Sequence, residues 1–170
     1  GHVRYSTTGS SQLKNAQPFV AGYRRGTLAV AHNGNLTNAE QLRGSLGARG
    51  AVLSSSSDTE VLLHLIAGSS QDSLPEAAAE ALAQARGAYS LVLMNEREIL
   101  GIRDPYGFRP LALGQLDGAP VLASESCALD LIEAKFVRDV EPGEFVHLTP
   151  EGVFSSFPLP RAPRTACIFE

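Results

Sequence analysis

Thr27-Leu28-Ala29-Val30-Ala31, followed at once by His32-Asn33-Gly34-Asn35, is the stretch on which the reading of this chain turns. The apolar run reads as a buried strand. The Asn-Gly pair after it has two physical uses. As a two-residue turn it would close a hairpin, because both central positions of that turn need positive φ. At the end of a strand it can instead present a side-chain amide and, beside it, a backbone N–H with no Cβ in the way. Two convergent neutral donors are what the oxyanion of amide hydrolysis needs. On spacing alone the hairpin is favoured.

Working outward, the bulk properties set limits. The 170 residues suffice for one domain with a sizeable core. A net charge of -4 argues against a general nucleic-acid or membrane-surface binder. No apolar run approaches membrane-spanning length, and no signal peptide opens the chain. Cys127 and Cys167 lie far apart with no Cys or His at ligand spacing, which predicts no disulfide framework and a cytoplasmic compartment. Cys127 falls at an apolar helical position and is expected to be buried. His2, His32, His64 and His147 have no metal-site spacing and are read as structural. No metal site is expected in these residues.

Upstream of the decisive stretch, Ser6 to Asn15 is polar and Gly/Ser/Thr-rich, hence a loop. Ala16 to Val20 and Gly26 to Ala31 read as strands around a Tyr-Arg-Arg-Gly turn. Downstream, Thr37 to Glu40, Ser57 to Glu60 and Ser73 to Glu76 each have capping-box form. The helices they open run toward Gly47, through Ile66, and to Gly87. Strands are then expected at 89–94, 98–103, 110–113, 121–124, 144–148 and 153–157, with a short helix at 126–133. Helices first and strands later predict an α+β layer fold. The Pro-rich stretch from Pro158 to Pro163 reads as an exit linker.

Four features can carry chemistry, and each has a plainer explanation. Arg4 can grip a carboxylate in bidentate fashion; alone, it reads as a surface residue. Asp58, after four serines, stabilises a helix start through free N–H groups and the dipole; it can also hold an ammonium group. The serines have no Lys or glycine spacing of a phosphate loop beside them. Asn33-Gly34 is the third. Arg103-Asp104-Pro105-Tyr106-Gly107-Phe108-Arg109 is the fourth, a dense charged turn read as structural or interfacial. A carboxylate holder, an ammonium holder and an amide-oxygen holder together describe an α-amino acid with a side-chain amide, and glutamine is the obvious candidate.

The segments 1–11, Asn15-Ala16-Gln17-Pro18-Phe19, 31–38 and Ser57-Asp58-Thr59-Glu60 resemble the class II glutamine amidotransferases. The segments 103–110, 123–130, 138–144 and 167–170 resemble the branch that passes ammonia to phosphoribosyl pyrophosphate in the first step of purine biosynthesis. The resemblance runs through essentially the whole chain in order. It implies an N-terminal-nucleophile hydrolase fold, a four-layer αββα sandwich of two antiparallel sheets between helices. It implies that Arg4 binds the glutamine α-carboxylate, Asp58 the α-ammonium, and Asn33 and Gly34 the oxyanion. Thr7, and Tyr5 with it, would lie in a loop from Arg4 to Lys14 that closes over glutamine.

The family's nucleophile is an N-terminal cysteine, and this chain begins with Gly1. The expectation is therefore a glutamine amidotransferase domain over 1–157 whose opening part is missing, with 158–170 leading into an absent phosphoribosyltransferase domain. Alone, such a fragment is expected to be inactive, having donors without a nucleophile. The resemblance further implies a magnesium ion in the absent domain, a possible iron–sulfur cluster with Cys167 as a candidate ligand, and a homo-oligomer. Two alternatives stay open. One is the amidotransferase domain of another class II enzyme, such as glucosamine-6-phosphate synthase. The other is a glutamine-binding module without catalysis.

Overall fold

A computed structural model describes residues 1–3, 12–160 and 162. Leu13–Asn15 forms a 3-10 turn. Pro18 has no N–H to give a ladder, so β1 occupies Phe19–Tyr23 and not the expected 16–20. Strand β2, Gly26–Leu36, runs straight through Asn33-Gly34. It is followed by α1 (Ala39–Ala48), α2 (Asp58–Ala67) and α3 (Leu74–Leu82). Strands β3 (Gly87–Met94), β4 (Ile99–Arg103), β5 (Ala112–Leu116) and β6 (Ala119–Ala123) come next. Helix α4 (Ser126–Leu131) precedes β7 (Lys135–Asp139), β8 (Phe145–Thr149) and β9 (Gly152–Ser156).

The strands form two antiparallel sheets, β1-β2-β3-β4-β8-β9 and β6-β5-β7. Alternation along β2 sends Leu28 and Val30 into the main core with α1 to α3. Helix α2 is buried on nearly every side, with Val61, Leu62 and Ile66 fully covered, because it lies between α1, α3 and β2. The opposite face of the large sheet meets the small sheet through Leu111, Leu113, Val146 and Leu148. Gly101 permits this closeness, since a Cβ there would sit 2.6 Å from Leu122 Cδ1. Beyond the small sheet, Leu129 of α4 packs on Ala112 and Ala134. Six residues cannot hold a helix unaided, so Leu129→Ala should release α4 at a cost of about 2–5 kcal/mol. The order of layers is helices, sheet, sheet, helix, the αββα sandwich expected from the resemblance.

An ion pair between a partly exposed guanidinium and a buried carboxylate ties the two sheets. Arg138 of β7 donates from both Nη atoms to Glu144, at 2.7 Å each. Ser155 Oγ and the N–H of Glu141 complete the carboxylate's bonding. Burial pushes the Glu144 carboxyl up, but these donors outweigh it and hold the group below its ordinary value.

Several expectations need correction. The Asn-Gly hairpin is absent: β3 runs beside β2 from Ala29↔Met94 to Leu36↔Gly87, so Asn33 and Gly34 are strand residues. Strand β7 had no expected counterpart; its pattern is broken by exposed Phe136 and Val137. Cys127 is exposed, because Leu129 alone carries the buried side of α4. At α1, Asn38 gives no cap to its own helix and instead bonds Gln84 O and Arg86 N. Leu159, within the Pro-rich stretch, is buried against the main core.

Candidate functional site

Beyond the first residue of β1, one edge of β2 has no strand beside it among the described residues, and there the candidate residues gather. The ladder ends at Phe19↔Val30. Past that point the N–H of His32 donates to Gln17 Oε1 at 2.7 Å, and the N–H of Leu36 donates to Asp58 Oδ2 at 2.9 Å. Both point away from β3. N–H groups alternate sides along an extended strand, so the N–H of Gly34, midway between them, faces the same edge.

Gly34 is forced by geometry. Its φ is +148°, and a Cβ would lie 2.1 Å from Ala88 O. Only glycine allows the two strands this approach. Asn33 is half-buried and lines a cleft of about 580 Å³ between the sheets, with Ala31, Ser90 and Leu111 among its walls. The Asn33 amide therefore stands on the sheet-to-sheet side of β2. The Gly34 N–H stands at its edge.

Asp58 approaches from the other side. Ser57 caps α2, its Oγ accepting from Thr59 N at 3.2 Å. That places Asp58 in the first turn, with its carboxylate reaching back to β2 and only 6% of the residue exposed. Oδ1 lies 3.5 Å from His32 Nδ1. Burial pushes the Asp58 carboxyl up, yet the His32 contact and the Leu36 N–H more than offset this and hold it below its ordinary value. Asp58 is thus a carboxylate at neutral pH, fixed on the Leu36 N–H, two residues along β2 from Gly34.

The serine run is the mount for this helix end. Glu60 does not close a box with Ser57, as its spacing suggested. Its Oε1 takes the N–H and O–H of Ser54, and its Oε2 takes those of Ser55, all at 2.7–2.8 Å. Arg43 donates to Ser55 O and Ser57 O. Fully buried Asn15 bonds Ser56 through both ends of its amide. With its donors and acceptors met in this way, the run is a bracket and not a phosphate cradle.

The structure thus brings Asn33, Gly34 and Asp58 around one strand end. Arg4, Tyr5, Thr7 and Cys167 lie outside the described residues. Gln17 and His32 belong to the same site; His32 reads as structural in the sequence, and Gln17 carries no signal of its own there. The one signal for His32 was its place directly before Asn33. Among the described residues no group of three or more His, Cys, Asp or Glu is placed to hold a metal ion. No helix there is long and apolar enough to cross a membrane.

Comparison with known proteins bears on this geometry. Residues 2–131 match the family model of a glutamine amidotransferase domain. The chain is 52% identical to amidophosphoribosyltransferase 1, chloroplastic, of Arabidopsis thaliana, covering all of this chain and 30% of that protein. It is 46% identical to the amidophosphoribosyltransferase of Rhizobium etli, again over the whole chain and 35% of the relative. Among solved structures, the glutamine phosphoribosylpyrophosphate amidotransferase from B. subtilis complexed with ADP and GMP superposes with a TM-score of 0.91. Its sequence identity is 41%, and the match covers 98% of this chain and 36% of that one. A glutamine aminotransferase class-II domain protein from Silicibacter pomeroyi shares the fold, with a TM-score of 0.61 at 19% identity over 88% of this chain and 72% of that one. The chain spans about a third of the length of the curated relatives it matches.

Proposed function

The chain belongs to the glutamine amidotransferase domain family, and from that premise we propose that it is the glutamine-binding and oxyanion-stabilising part of an amidophosphoribosyltransferase. The complete enzyme hydrolyses glutamine and passes ammonia to phosphoribosyl pyrophosphate, displacing pyrophosphate and giving 5-phosphoribosylamine at the first step of purine biosynthesis. Within this chain, the Asn33 side-chain amide and the Gly34 N–H receive the oxyanion. Asp58 takes the α-ammonium of glutamine. Arg4 takes its α-carboxylate, and Thr7 lies in the loop over it.

The observation that carries the reading is the edge of β2. Its N–H groups at 32 and 36 are occupied by protein side chains, while the one at 34 lies between them on glycine, with Asn33 adjoining it in the chain and the Asp58 carboxylate fixed on the N–H of Leu36. Donors already in place need no reorganisation when charge develops on the carbonyl oxygen. The carboxylate, held below its ordinary value, keeps its charge for an ammonium.

The same proposal includes magnesium at the phosphoribosyl pyrophosphate site outside these residues and an iron–sulfur cluster with Cys167 as one ligand. It also includes a homo-oligomeric assembly and a cytoplasmic location. The test is to supply the complete protein with glutamine or with ammonia. Asn33→Ala should reduce the glutamine-supported rate by about 10²-fold and leave the ammonia-supported rate in place. Equal loss of both rates would sink the assignment.

A further inference from the structure

His32 is buried to 4%, with its backbone N–H engaged by Gln17. Its ring enters the helix-facing side of β2, where Nδ1 lies 3.5 Å from Asp58 Oδ1 and 3.4 Å from Thr59 Oγ1. Nε2 is buried and has no hydrogen-bond partner among the described residues. A histidine that only filled core volume would have no reason to aim one nitrogen at a carboxylate and leave the other bare.

The protonation states can be ranked by what each leaves unmet. An imidazolium would bury a charged Nε2–H with no acceptor among the described residues. The neutral Nε2–H form buries an unpaired donor and turns the Nδ1 lone pair toward the Asp58 carboxylate. The neutral Nδ1–H form gives its proton to Asp58 Oδ1 and leaves only an unused acceptor at Nε2, the mildest of the three defects. That form grips one carboxylate oxygen while Leu36 N–H grips the other.

We infer that His32 is a positioning residue for glutamine binding, locking the Asp58 carboxylate through its neutral Nδ1–H tautomer so that the remaining lone pairs face the ligand ammonium. This rests on the role given to Asp58 above. At 3.5 Å the contact is longer than a closed N–H···O bond. Such bonds tighten when the ligand arrives.

Two side chains separate positioning from packing. An Asn amide can put a donor where Nδ1 stands; Leu cannot. In the complete protein, His32→Leu should raise the glutamine KM about tenfold, leaving kcat and the ammonia-supported rate nearly unchanged. His32→Asn should recover most of the loss. If Leu has no effect on KM, or if Asn is as impaired as Leu, the positioning role is wrong. The ring nitrogens give an independent check by 15N NMR of the ligand-free protein. The expected spectrum has a protonated Nδ1 and a bare Nε2, both displaced in Asp58→Asn. A protonated Nε2 would overturn the inference. If the tautomer is as expected but Asp58→Asn leaves the glutamine KM unchanged, the error lies in the ligand assigned to Asp58.

Discussion

The end of β2 and the loop Arg103–Arg109 are both polar, glycine-containing and placed at strand ends, yet they are built to opposite plans. In the loop, Arg103 is buried and gives its guanidinium to three carbonyls, Arg109 O at 2.8 Å, Val140 O at 2.7 Å and Gly107 O at 3.0 Å. Fully buried Asp104 accepts from the N–H groups of Tyr106, Phe108 and Arg109. The bonding is directed inward, and the result is a rigid turn. At β2 the neighbours of Gly34 are committed while, among the described residues, its own N–H faces an edge without a strand and His32 Nε2 is unmet. A dense polar motif whose groups satisfy one another supports structure. One that leaves selected groups unsatisfied on a fixed frame is prepared for a ligand.

Substitutions can break this contrast in order of size. Gly34→Ala should have the largest effect, because the added Cβ meets Ala88 O at 2.1 Å. Forcing the strands apart is expected to abolish glutamine-supported activity and to cost about 3 kcal/mol or more of stability, read by urea unfolding. Asn33→Ala should come next, with the rate loss given above and a stability change below about 1 kcal/mol. Arg103→Met should show the reverse profile. It strands buried carbonyl acceptors, at about 1–3 kcal/mol apiece, so the unfolding midpoint drops while the glutamine KM of the folded fraction holds. An Arg103 variant that alters KM without loss of stability would erase the distinction between the regions.

The smallest effect is one of pH. Glu60 is held below its ordinary value of 4.5: burial raises it, and the Ser54 and Ser55 donors more than compensate. A carboxyl depressed in the folded state contributes stability above its unfolded pKa and loses it as pH falls through the folded one. The bracket should therefore weaken below about pH 4.5, seen as a falling melting temperature. Glu60→Gln should flatten that part of the curve.

Much of the architecture was legible in the sequence, because alternation and helix starts are local signals. The capped start at Ser73 appears as read, with Ser73 Oγ accepting from Glu76 N, while at Ser57 the helix start is capped through Thr59 N and Glu60 turns instead to Ser54 and Ser55. What local reading misses depends on distant partners. Asn33-Gly34 resembles a turn until β3 is known to lie alongside it. Cys127 resembles a core residue until α4 is seen to bury Leu129 alone. His32 resembled packing because its meaning lies in Asp58, which another element delivers. The trio Asn33, Gly34 and Asp58 was named from chemistry and resemblance. The structure gathers it without the turn that spacing favoured.

The central claim is that the Asn33 amide and Gly34 N–H stabilise the oxyanion of glutamine hydrolysis. Its most direct test is the ratio of glutamine-supported to ammonia-supported turnover in Asn33→Ala of the complete protein. The account predicts that this ratio falls about 10²-fold while the ammonia-supported rate stays at the unsubstituted level. A ratio that does not change, whether both rates fall together or neither falls, would contradict it.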